Sequence, residues 1–304
     1  MNLTELARKH HSFVSSDNAF QRRARVLQAL WREEQGLRIG KHRGRPLGSR
    51  IAMPEAKDDR SNFLTDTIRK AVWDEVLGPD RDGDKLYGQP RIFNDLLSSQ
   101  PLCFNLFAEL KDNDTLASKV FATMTKGRVG KVIHIEFEHS PGRGDPRFTG
   151  DRSAFDVYVE HETNGKRGFI GVEVKYHEGL GDQPAPHRAR YDEIAAAMKA
   201  FRDDGEKLKN KPLQQIWRDH LLAGSLLLDD RSDFDDGMFV FLFPKDNDRC
   251  SNAVAAYRAC LAHEKTFAAW TLEDMATAIK ACGAGAWIDA FVDRYLAFDK
   301  LEAE

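Results

Sequence analysis

A chain of 304 residues with 41% hydrophobic and 31% charged side chains has the composition of a globular protein with a full core, which excludes a disordered or fibrous chain. It contains no apolar run near the ~18 residues that a membrane span needs, and no apolar signal-peptide core near its start. Its four cysteines form no C-x-x-C pair. We therefore expect a cytoplasmic protein with reduced cysteines. The net charge of −3 is unevenly distributed, because residues 1–50 carry 11 Lys and Arg against 4 Asp and Glu, whereas the rest of the chain carries 34 against 44.

Residues 1–60 predict a basic helical region followed by a connector. Apolar periodicity predicts helices over residues 3–13 and 18–36. Glycines and a proline surround the basic run from Lys41 to Arg45, which predicts a flexible loop. Such a loop suits either contact with nucleic-acid phosphates or simple exposure to solvent, and both interpretations stay open.

The next part of the chain predicts helices and then one strand. The helices are expected over residues 61–77, 91–110 and 114–124, with a turn-rich stretch between the first two. The strand is expected over residues 131–139, where apolar and polar residues alternate strictly. This alternation predicts one apolar and one polar face, formed respectively by Ile133, Ile135 and Phe137 and by His134, Glu136 and Glu138.

The following segment predicts a β-hairpin. Asn164-Gly165 lies between two apolar, β-rich runs, and this dipeptide favours a two-residue type I′ turn because both residues tolerate positive φ. A two-residue turn sets the register of its strands. Asp156 lies eight residues before Asn164 and Glu173 lies eight residues after Gly165, so we expect the two carboxylates directly opposite each other, with Lys175 diagonal to Asp156.

The facing carboxylates of Asp156 and Glu173 predict a cation site, because like charges that face each other otherwise destabilise a sheet. Two carboxylates a few Å apart suit Mg²⁺, which prefers oxygen ligands and keeps several waters. Such an ion can polarise a phosphate oxygen and activate a water molecule, while the ammonium of Lys175 can orient that water or offset charge on phosphorus. The pattern favours metal-assisted phosphodiester hydrolysis over the alternative, an amphipathic hairpin with a solvated charged face.

The remaining sequence predicts helices over residues 186–203 and 212–226 and a buried strand over residues 238–244. The tail from 250 to 300 predicts a helix, a short strand and two helices. The middle of the chain therefore has the order α-β-β-β-α-β, in which a three-stranded meander covered by helices receives a further strand.

The Asp156 strand followed by Glu173-x-Lys175 resembles the PD-(D/E)XK nuclease superfamily. The narrower similarity, over about residues 91–245, is to a bacterial group of restriction-endonuclease-like proteins that has a similar Glu-x-Lys-Tyr-x-Glu run. Phe155 stands where the superfamily pattern has a proline, which its members often lack.

The resemblance implies an α/β fold with a restriction-endonuclease-like core, in which a mixed central sheet is flanked by helices. Helical extensions would lie at both ends, and the nuclease-like domain would span residues 61–304. It also implies a Mg²⁺-dependent DNA endonuclease in which Mn²⁺ can substitute and no small-molecule cofactor is used. Restriction or phage defence is the implied role, and a homodimer would suit the cutting of both strands. A repair or junction-processing nuclease and a non-cleaving nucleic-acid-binding protein on the same fold are the alternatives.

The implied catalytic residues are Asp156, Glu173 and Lys175. The metal would be held by Asp156, Glu173 and the carbonyl of Val174, and Glu136 is the best candidate for a third acidic ligand because it lies on the polar face of the neighbouring strand. Glu138, on the same face, is the alternative to Glu136.

Seven further residues are candidates for substrate contact. Gln100 and Asn105 lie in a helical stretch that is also similar in the related group, and Tyr176 and His177 follow the catalytic lysine. Arg188 and Arg190 could clamp phosphates. Gln214, next to Gln215, begins the helix in which the superfamily often has a polar site residue. An ordinary structural or surface role is the alternative for each. These candidates are Gln100, Asn105, Tyr176, His177, Arg188, Arg190 and Gln214.

Overall fold

The computed structural model describes residues 2–181, 183–202 and 205–303, and these form an α/β protein. Its strands are β1 (Ile39–His42), β2 (Arg45–Ile51), β3 (Lys131–His139), β4 (Phe155–Thr163), β5 (Lys166–Val174), β6 (Asp236–Phe243) and β7 (Phe267–Thr271). Its helices are α1 (Leu3–Lys9), α2 (Ala19–Glu34), α3 (Glu55–Asp58), α4 (Asp66–Val72), α5 (Arg91–Asn94), α6 (Ser99–Asp112), α7 (Asp114–Met124), α8 (Ala189–Met198), α9 (Gly205–Leu208), α10 (Gln214–Leu228), α11 (Asp248–Ala259), α12 (Leu272–Ala281), α13 (Ala286–Tyr295) and α14 (Lys300–Ala303). Among these helices none combines the length and the apolar character that crossing a membrane requires.

The predicted helices are confirmed in type, and most are shorter than the periodicity suggested. A π-helical turn, Trp73–Leu77, continues α4. The single helix predicted over residues 91–110 is two helices, α5 and α6, because the backbone at Asp95 is extended and pairs with Arg50. The predicted end of the helix at residue 203 lies outside the described residues.

The chain divides into two units. The first comprises the described residues of Met1–Asp112, Tyr176–Glu178 and Ile279–Glu304, and the second comprises those of Asn113–Lys175 and Gly179–Ala278. The predicted domain boundary near residue 60 falls inside the first unit.

The first unit is mainly helical. Its two N-terminal helices begin with reciprocal capping boxes, in which the side chains of Asn2 and Asn18 accept backbone hydrogen bonds from the first turn. The core of this unit holds the guanidinium of Arg294, which is fully buried, donates to the carbonyl oxygen of Asn62 at 2.7 Å and lies 3.9 Å from the ring centroid of Trp31. This buried cation is satisfied by neutral acceptors and aromatic rings.

The basic run of the first unit is a β-hairpin, so the prediction of a flexible loop is wrong. Strands β1 and β2 pair antiparallel, and Arg43 and Gly44 form the turn with φ of 49° and 80°. Two consecutive positive φ angles are what a two-residue hairpin turn requires. Lys41 and Arg45 are exposed beside the turn, so the hairpin presents its cations to solvent.

The second unit is built on a five-stranded sheet with the order β3-β4-β5-β6-β7. The first three strands are antiparallel neighbours, and β6 and β7 continue the sheet in parallel. This is the mixed sheet that the predicted α-β-β-β-α-β order implies. An aromatic-rich core joins the sheet to α8, α10 and α11, and it includes Phe155, Phe169, Tyr191, Trp217, Phe239 and Tyr257.

Strand β3 departs from strict alternation. Its pairing with β4 shifts by one residue between Val132 and His134, which makes Ile133 the extra residue of a β-bulge. Ile133 is 39% exposed, while Val132 and Ile135 are buried. The prediction that Ile133 lies on the apolar face is therefore wrong.

Candidate active site

The β4–β5 hairpin has the predicted register. Asn164 and Gly165 form the turn with φ of 54° and 75°. The strands pair from Thr163–Lys166 at the turn to Val157–Val172 at the far end. Asp156 and Glu173 are the next residues of the two strands, so the turn places them at the same end of the hairpin.

Asp156 is held where the backbone ladder of the hairpin ends. The N–H of Val174 donates to Oδ2 of Asp156 at 2.8 Å, so a side chain takes the place of a carbonyl acceptor from β4. The next residue, Lys175, donates its own N–H to the carbonyl oxygen of Leu242 at 2.8 Å and so continues the pairing with β6. Both strands that flank β5 therefore position the Glu173–Lys175 segment.

Glu173 is the centre of a hydrogen-bonded group. Its Oε1 accepts from Nζ of Lys175 at 2.6 Å and from Nε2 of Gln215 at 2.6 Å. The side chains of Glu173 and Lys175 are only 9% and 12% exposed. A partly desolvated ion pair beside a second carboxylate is more strongly coupled than a surface pair, because water screens it less.

The electrostatics of the site favour the entry of a cation. Burial raises the pKa of Asp156 well above its ordinary value, the negative charge of Glu173 raises it further, and the positive charge of Lys175 opposes both. A carboxylate that is stabilised by a proton for this reason is also stabilised by a metal cation, since the proton and the cation each neutralise the same buried charge. The pair is therefore suited to bind a positive ion.

Glu138, and not Glu136, is the β3 carboxylate that faces this site. The ladder pairs Phe137 with Val157 and His139 with Phe155, so Glu138 lies between these pairs and across from Asp156. The charge of Glu138 also raises the pKa of Asp156, after the larger effects of burial and of Glu173. Its Oε1 accepts from Arg143 at 2.7 Å.

Glu136, the predicted third ligand, lies two residues further along β3 and opposite Tyr158. Its Oε2 is 2.9 Å from Nδ1 of His139. Two residues correspond to about 7 Å along a strand, which separates Glu136 from the Asp156 position. Strict alternation placed both glutamates on one face but could not tell which of them lies opposite Asp156.

A cavity of about 350 Å³ opens beside the carboxylates in the second unit. Acidic and basic side chains both line it. The acidic ones are Glu138, Glu173 and Asp219, and the basic ones are Arg152, Lys211 and Arg218. A cavity with both charges suits a ligand that combines an anion with a metal cation, as a phosphate with its ion does.

Arg218 is fixed at this cavity by Asp151. Nε and Nη2 of Arg218 donate to Oδ2 of Asp151 at 2.9 and 2.7 Å, and Tyr191 donates to the same oxygen at 2.6 Å. Burial would raise the pKa of Asp151, but the Tyr191 hydrogen bond, the Arg218 charge and the N–H of Ser153 outweigh it and hold that pKa well below its ordinary value. The guanidinium is thus preorganised, as a phosphate-binding arginine needs to be.

Helix α10 contributes a further acidic residue, Asp219, which the sequence did not predict. Asp219 lies one helical turn after Gln215, so the two side chains share a face of the helix. Gln215 reaches Glu173 from this face, and Asp219 lines the same cavity. The detectable signal was the polar pair Gln215 and Asp219 at i and i+4 in a helix whose following residues are mostly apolar.

Three of the predicted substrate residues lie in the second unit, and two of them, Arg190 and Gln214, have structural contacts there. Arg190 donates to the carbonyl oxygens of Phe148 and Arg147 at 3.1 and 2.6 Å. The amide of Gln214 bonds to both backbone groups of Ala185 at 2.7 Å each, so Gln215 and not Gln214 contacts Glu173. Arg188 is exposed immediately before α8.

The other four predicted substrate residues belong to the first unit. The hydroxyl of Tyr176 donates to the carbonyl oxygen of Tyr295 at 3.1 Å, and Nδ1 of His177 is 3.0 Å from the carbonyl oxygen of Leu97.

The two amide residues among these four hold backbone of the same unit. Gln100 accepts from the N–H of Gly88 at 3.0 Å, and Asn105 is buried and donates to the carbonyl oxygen of Asn62 at 3.0 Å. These contacts stabilise the helical unit.

The donor set of the site fits a hard divalent cation. Asp156 and Glu173 supply carboxylate oxygens and Val174 supplies a carbonyl, which are the ligand types that Mg²⁺ accepts. Within residues 2–181, 183–202 and 205–303 no three His, Cys, Asp or Glu side chains are grouped so as to hold a metal by themselves. Since Mg²⁺ is usually bound through one or two carboxylates and keeps several waters, two acidic ligands are sufficient.

Comparison with protein families gives a match that covers most of the chain. A family model described as the PD-(D/E)XK nuclease superfamily matches residues 15–297. Neither the curated proteins nor the solved structures contain a match to the chain.

Proposed function

The chain belongs to the PD-(D/E)XK nuclease superfamily, and we propose that it is a Mg²⁺-dependent endonuclease that hydrolyses DNA phosphodiester bonds. Nucleases of this superfamily generally use divalent metals. One observation carries the proposal: Asp156, Glu173 and Lys175 meet at the end of one hairpin, beside a cavity that a fixed arginine lines. A role in restriction or phage defence is the part of the proposal that rests on the resemblance alone.

In the proposed mechanism, Asp156, Glu173 and the carbonyl of Val174 would hold the ion, and Mn²⁺ could replace Mg²⁺. The bound ion supplies Lewis acidity toward a phosphate oxygen and toward water. Gln215 holds Oε1 of Glu173, so Oε2 of that carboxylate would be the oxygen available to the ion. Val174 would take part twice, because its N–H holds Asp156 while its carbonyl would be a ligand.

The ammonium of Lys175 acts on the reacting atoms. It orients the attacking water and offsets the negative charge that develops on the phosphate oxygens. The water oxygen forms a bond to phosphorus as the bond to the 3′ oxygen breaks, which leaves a 5′-phosphate and a 3′-hydroxyl. Arg218 is one of the basic residues that line the cavity, and it binds a phosphate group of the substrate. Asp151 holds its guanidinium in place for this contact.

Cleavage of supercoiled plasmid by purified protein tests this function. We expect nicked or linear products with Mg²⁺ or Mn²⁺, and none with EDTA or with Asp156→Ala, because both changes remove the cation. One active site is suited to cut one DNA strand, so cutting both strands would require two copies of the chain. A wild-type protein that binds DNA but never cuts it in either metal would replace the proposal with a non-cleaving binding protein.

The β1–β2 hairpin is proposed to contact DNA phosphates. We expect the triple variant Lys41→Gln, Arg43→Gln, Arg45→Gln to bind duplex DNA more weakly, since all three side chains are exposed and free to reach a ligand. Each lost phosphate contact lowers the slope of log K against log salt by about 0.9, so the full change is about 3. Fluorescence anisotropy at several salt concentrations, in EDTA to prevent cutting, measures it.

The matched control for the hairpin removes three exposed lysines of the second unit, Lys126, Lys131 and Lys166, by the same change to glutamine. This control lowers the net charge by the same amount as the hairpin variant does. Equal salt slopes for the two triple variants would show that the hairpin contributes only general charge.

A further inference from the structure

Asp219 carries a buried oxygen that the protein leaves unsatisfied. The residue is 6% exposed, and among the described residues Oδ2 is enclosed with no hydrogen-bond partner. Buried polar atoms are nearly always paired, and an unpaired carboxylate oxygen is among the most unfavourable groups to enclose. A side chain kept in this state is expected to meet a partner that arrives with a ligand.

Asp219 lies on the face of α10 that lines the cavity beside the proposed cation site. Gln215 lies one turn earlier on the same helical face and donates to Oε1 of Glu173 at 2.6 Å. Asp219 itself lines the cavity together with Glu173 and Glu138. After the effect of burial, the charge of Glu173 is the largest influence that raises the pKa of Asp219, which agrees with this placement.

The other groups near Asp219 do not neutralise it. Arg218 is the adjacent residue, and its guanidinium donates to Asp151 and to Oγ of Ser153 at 2.9 Å. Lys175 donates to Glu173. The positive charges of Arg218 and Lys175 lower the pKa of Asp219, but burial and Glu173 outweigh them.

We propose that Asp219 is a positioning residue of the cation site, where it accepts hydrogen bonds from water molecules in the hydration shell of the divalent ion. An indirect role follows from the geometry, because no three acidic side chains in the described parts of the chain are grouped to hold one ion directly. Mg²⁺ keeps several of its waters, and these waters donate hydrogen bonds that a buried carboxylate can accept. The inference rests on the proposed function, since it presupposes the ion at Asp156 and Glu173.

Calorimetric titration of Mn²⁺ into the protein, without DNA, tests this role with a readout other than cleavage. We expect Asp219→Asn to weaken Mn²⁺ binding about 10-fold or more, as the loss of outer-shell partners does at other metal sites. In EDTA the melting temperature of Asp219→Asn should equal or exceed that of the wild type, because the variant removes a buried charge without a partner. Asp219→Ser is measured in parallel, as a second substitution with a smaller polar side chain.

The control variant is Asp17→Asn, which alters another aspartate with an enclosed side chain, outside the cavity. The side chain of Asp17 is 6% exposed and accepts from Nε of Arg25 at 2.6 Å. We expect this variant to melt at a lower temperature in EDTA and to bind Mn²⁺ as the wild type does.

The outcomes separate the inference from the proposed function. If the wild type binds no Mn²⁺, the proposed metal-dependent function fails. If the wild type binds and both Asp219 variants bind equally well, the inference fails and the function stands. If both Asp219 variants melt at lower temperatures in EDTA, Asp219 is a structural residue and the inference is overturned.

Discussion

Replacing Lys175 with alanine is expected to lower the rate of DNA cleavage by about 10²–10⁴-fold, because a positioned proton-transfer group or transition-state charge contributes that much. Nζ of Lys175 is 2.6 Å from Oε1 of Glu173 and its side chain is 12% exposed, so the ammonium is held in one place at the site. Single-turnover cleavage of a plasmid at saturating Mn²⁺ measures the effect on the chemical step.

Lys166→Ala is the matched control for Lys175. Lys166 lies at the turn of the same hairpin and is exposed, so its loss removes one positive charge from β5 without altering the site. We expect wild-type rates from this variant. A Lys175→Ala protein that keeps its fold and cuts within a few-fold of the wild type would show that the active site lies elsewhere.

The second large effect is expected from Asp151→Ala, which should lower the free energy of unfolding by about 3–5 kcal/mol. The substitution leaves the largely buried guanidinium of Arg218 without its anion and removes the acceptor of the Tyr191 hydroxyl. Since domains are commonly stable by about 5–15 kcal/mol, this is a large fraction of the total. Urea denaturation at pH 7 measures the change.

Asp145→Ala is the control for Asp151, because Asp145 lies in the same loop but pairs with the exposed Arg147. Water and salt screen exposed pairs, which therefore contribute little to stability, so we expect a small effect. Similar losses from both variants would mean that the loop, and not the buried pair, is the source of the stability.

The contribution of Asp151 should also depend on pH. Its pKa in the folded protein is lowered, so the unfolded chain, with a pKa near 3.9, binds the proton more readily. The stabilisation is therefore fully present above about pH 5 and is lost as the pH falls through the unfolded and then the folded pKa. The difference between wild type and Asp151→Asn should be constant from pH 5 to 7 and shrink below pH 4, and a constant difference down to pH 2 would contradict this origin.

Local sequence signals were sufficient for the β4–β5 hairpin. The Asn164-Gly165 turn involves only neighbouring residues, and a two-residue turn sets every later pair of the strands. The register to Val157–Val172, and with it the placement of Asp156 and Glu173 at one end, could therefore be counted from the turn. The α-β-β-β-α-β order could be read in the same way, since hydrophobic periodicity is a local property.

Features that depend on pairing with residues distant in sequence could not be predicted. Strand β3 follows a long loop, and the bulge at Ile133 arises from its pairing with β4. Glu138 and Glu136 could not be ranked without that pairing. The glycines and the proline around the basic run led to the prediction of a flexible loop. Arg43-Gly44 instead forms a two-residue turn, which was a local signal.

The sequence by itself determined the fold class, the hairpin register and the set Asp156, Glu173 and Lys175, because each follows from residues close together in the chain. Only the tertiary structure decided which further side chains reach that set. Gln215, Arg218 and Asp219 do so because α10 packs against the sheet with one particular face, and that rotation is set by its contacts with α8 and β6, which the periodicity of the helix does not specify. The periodicity of a helix shows which side chains share a face, but packing of the whole core determines where that face points.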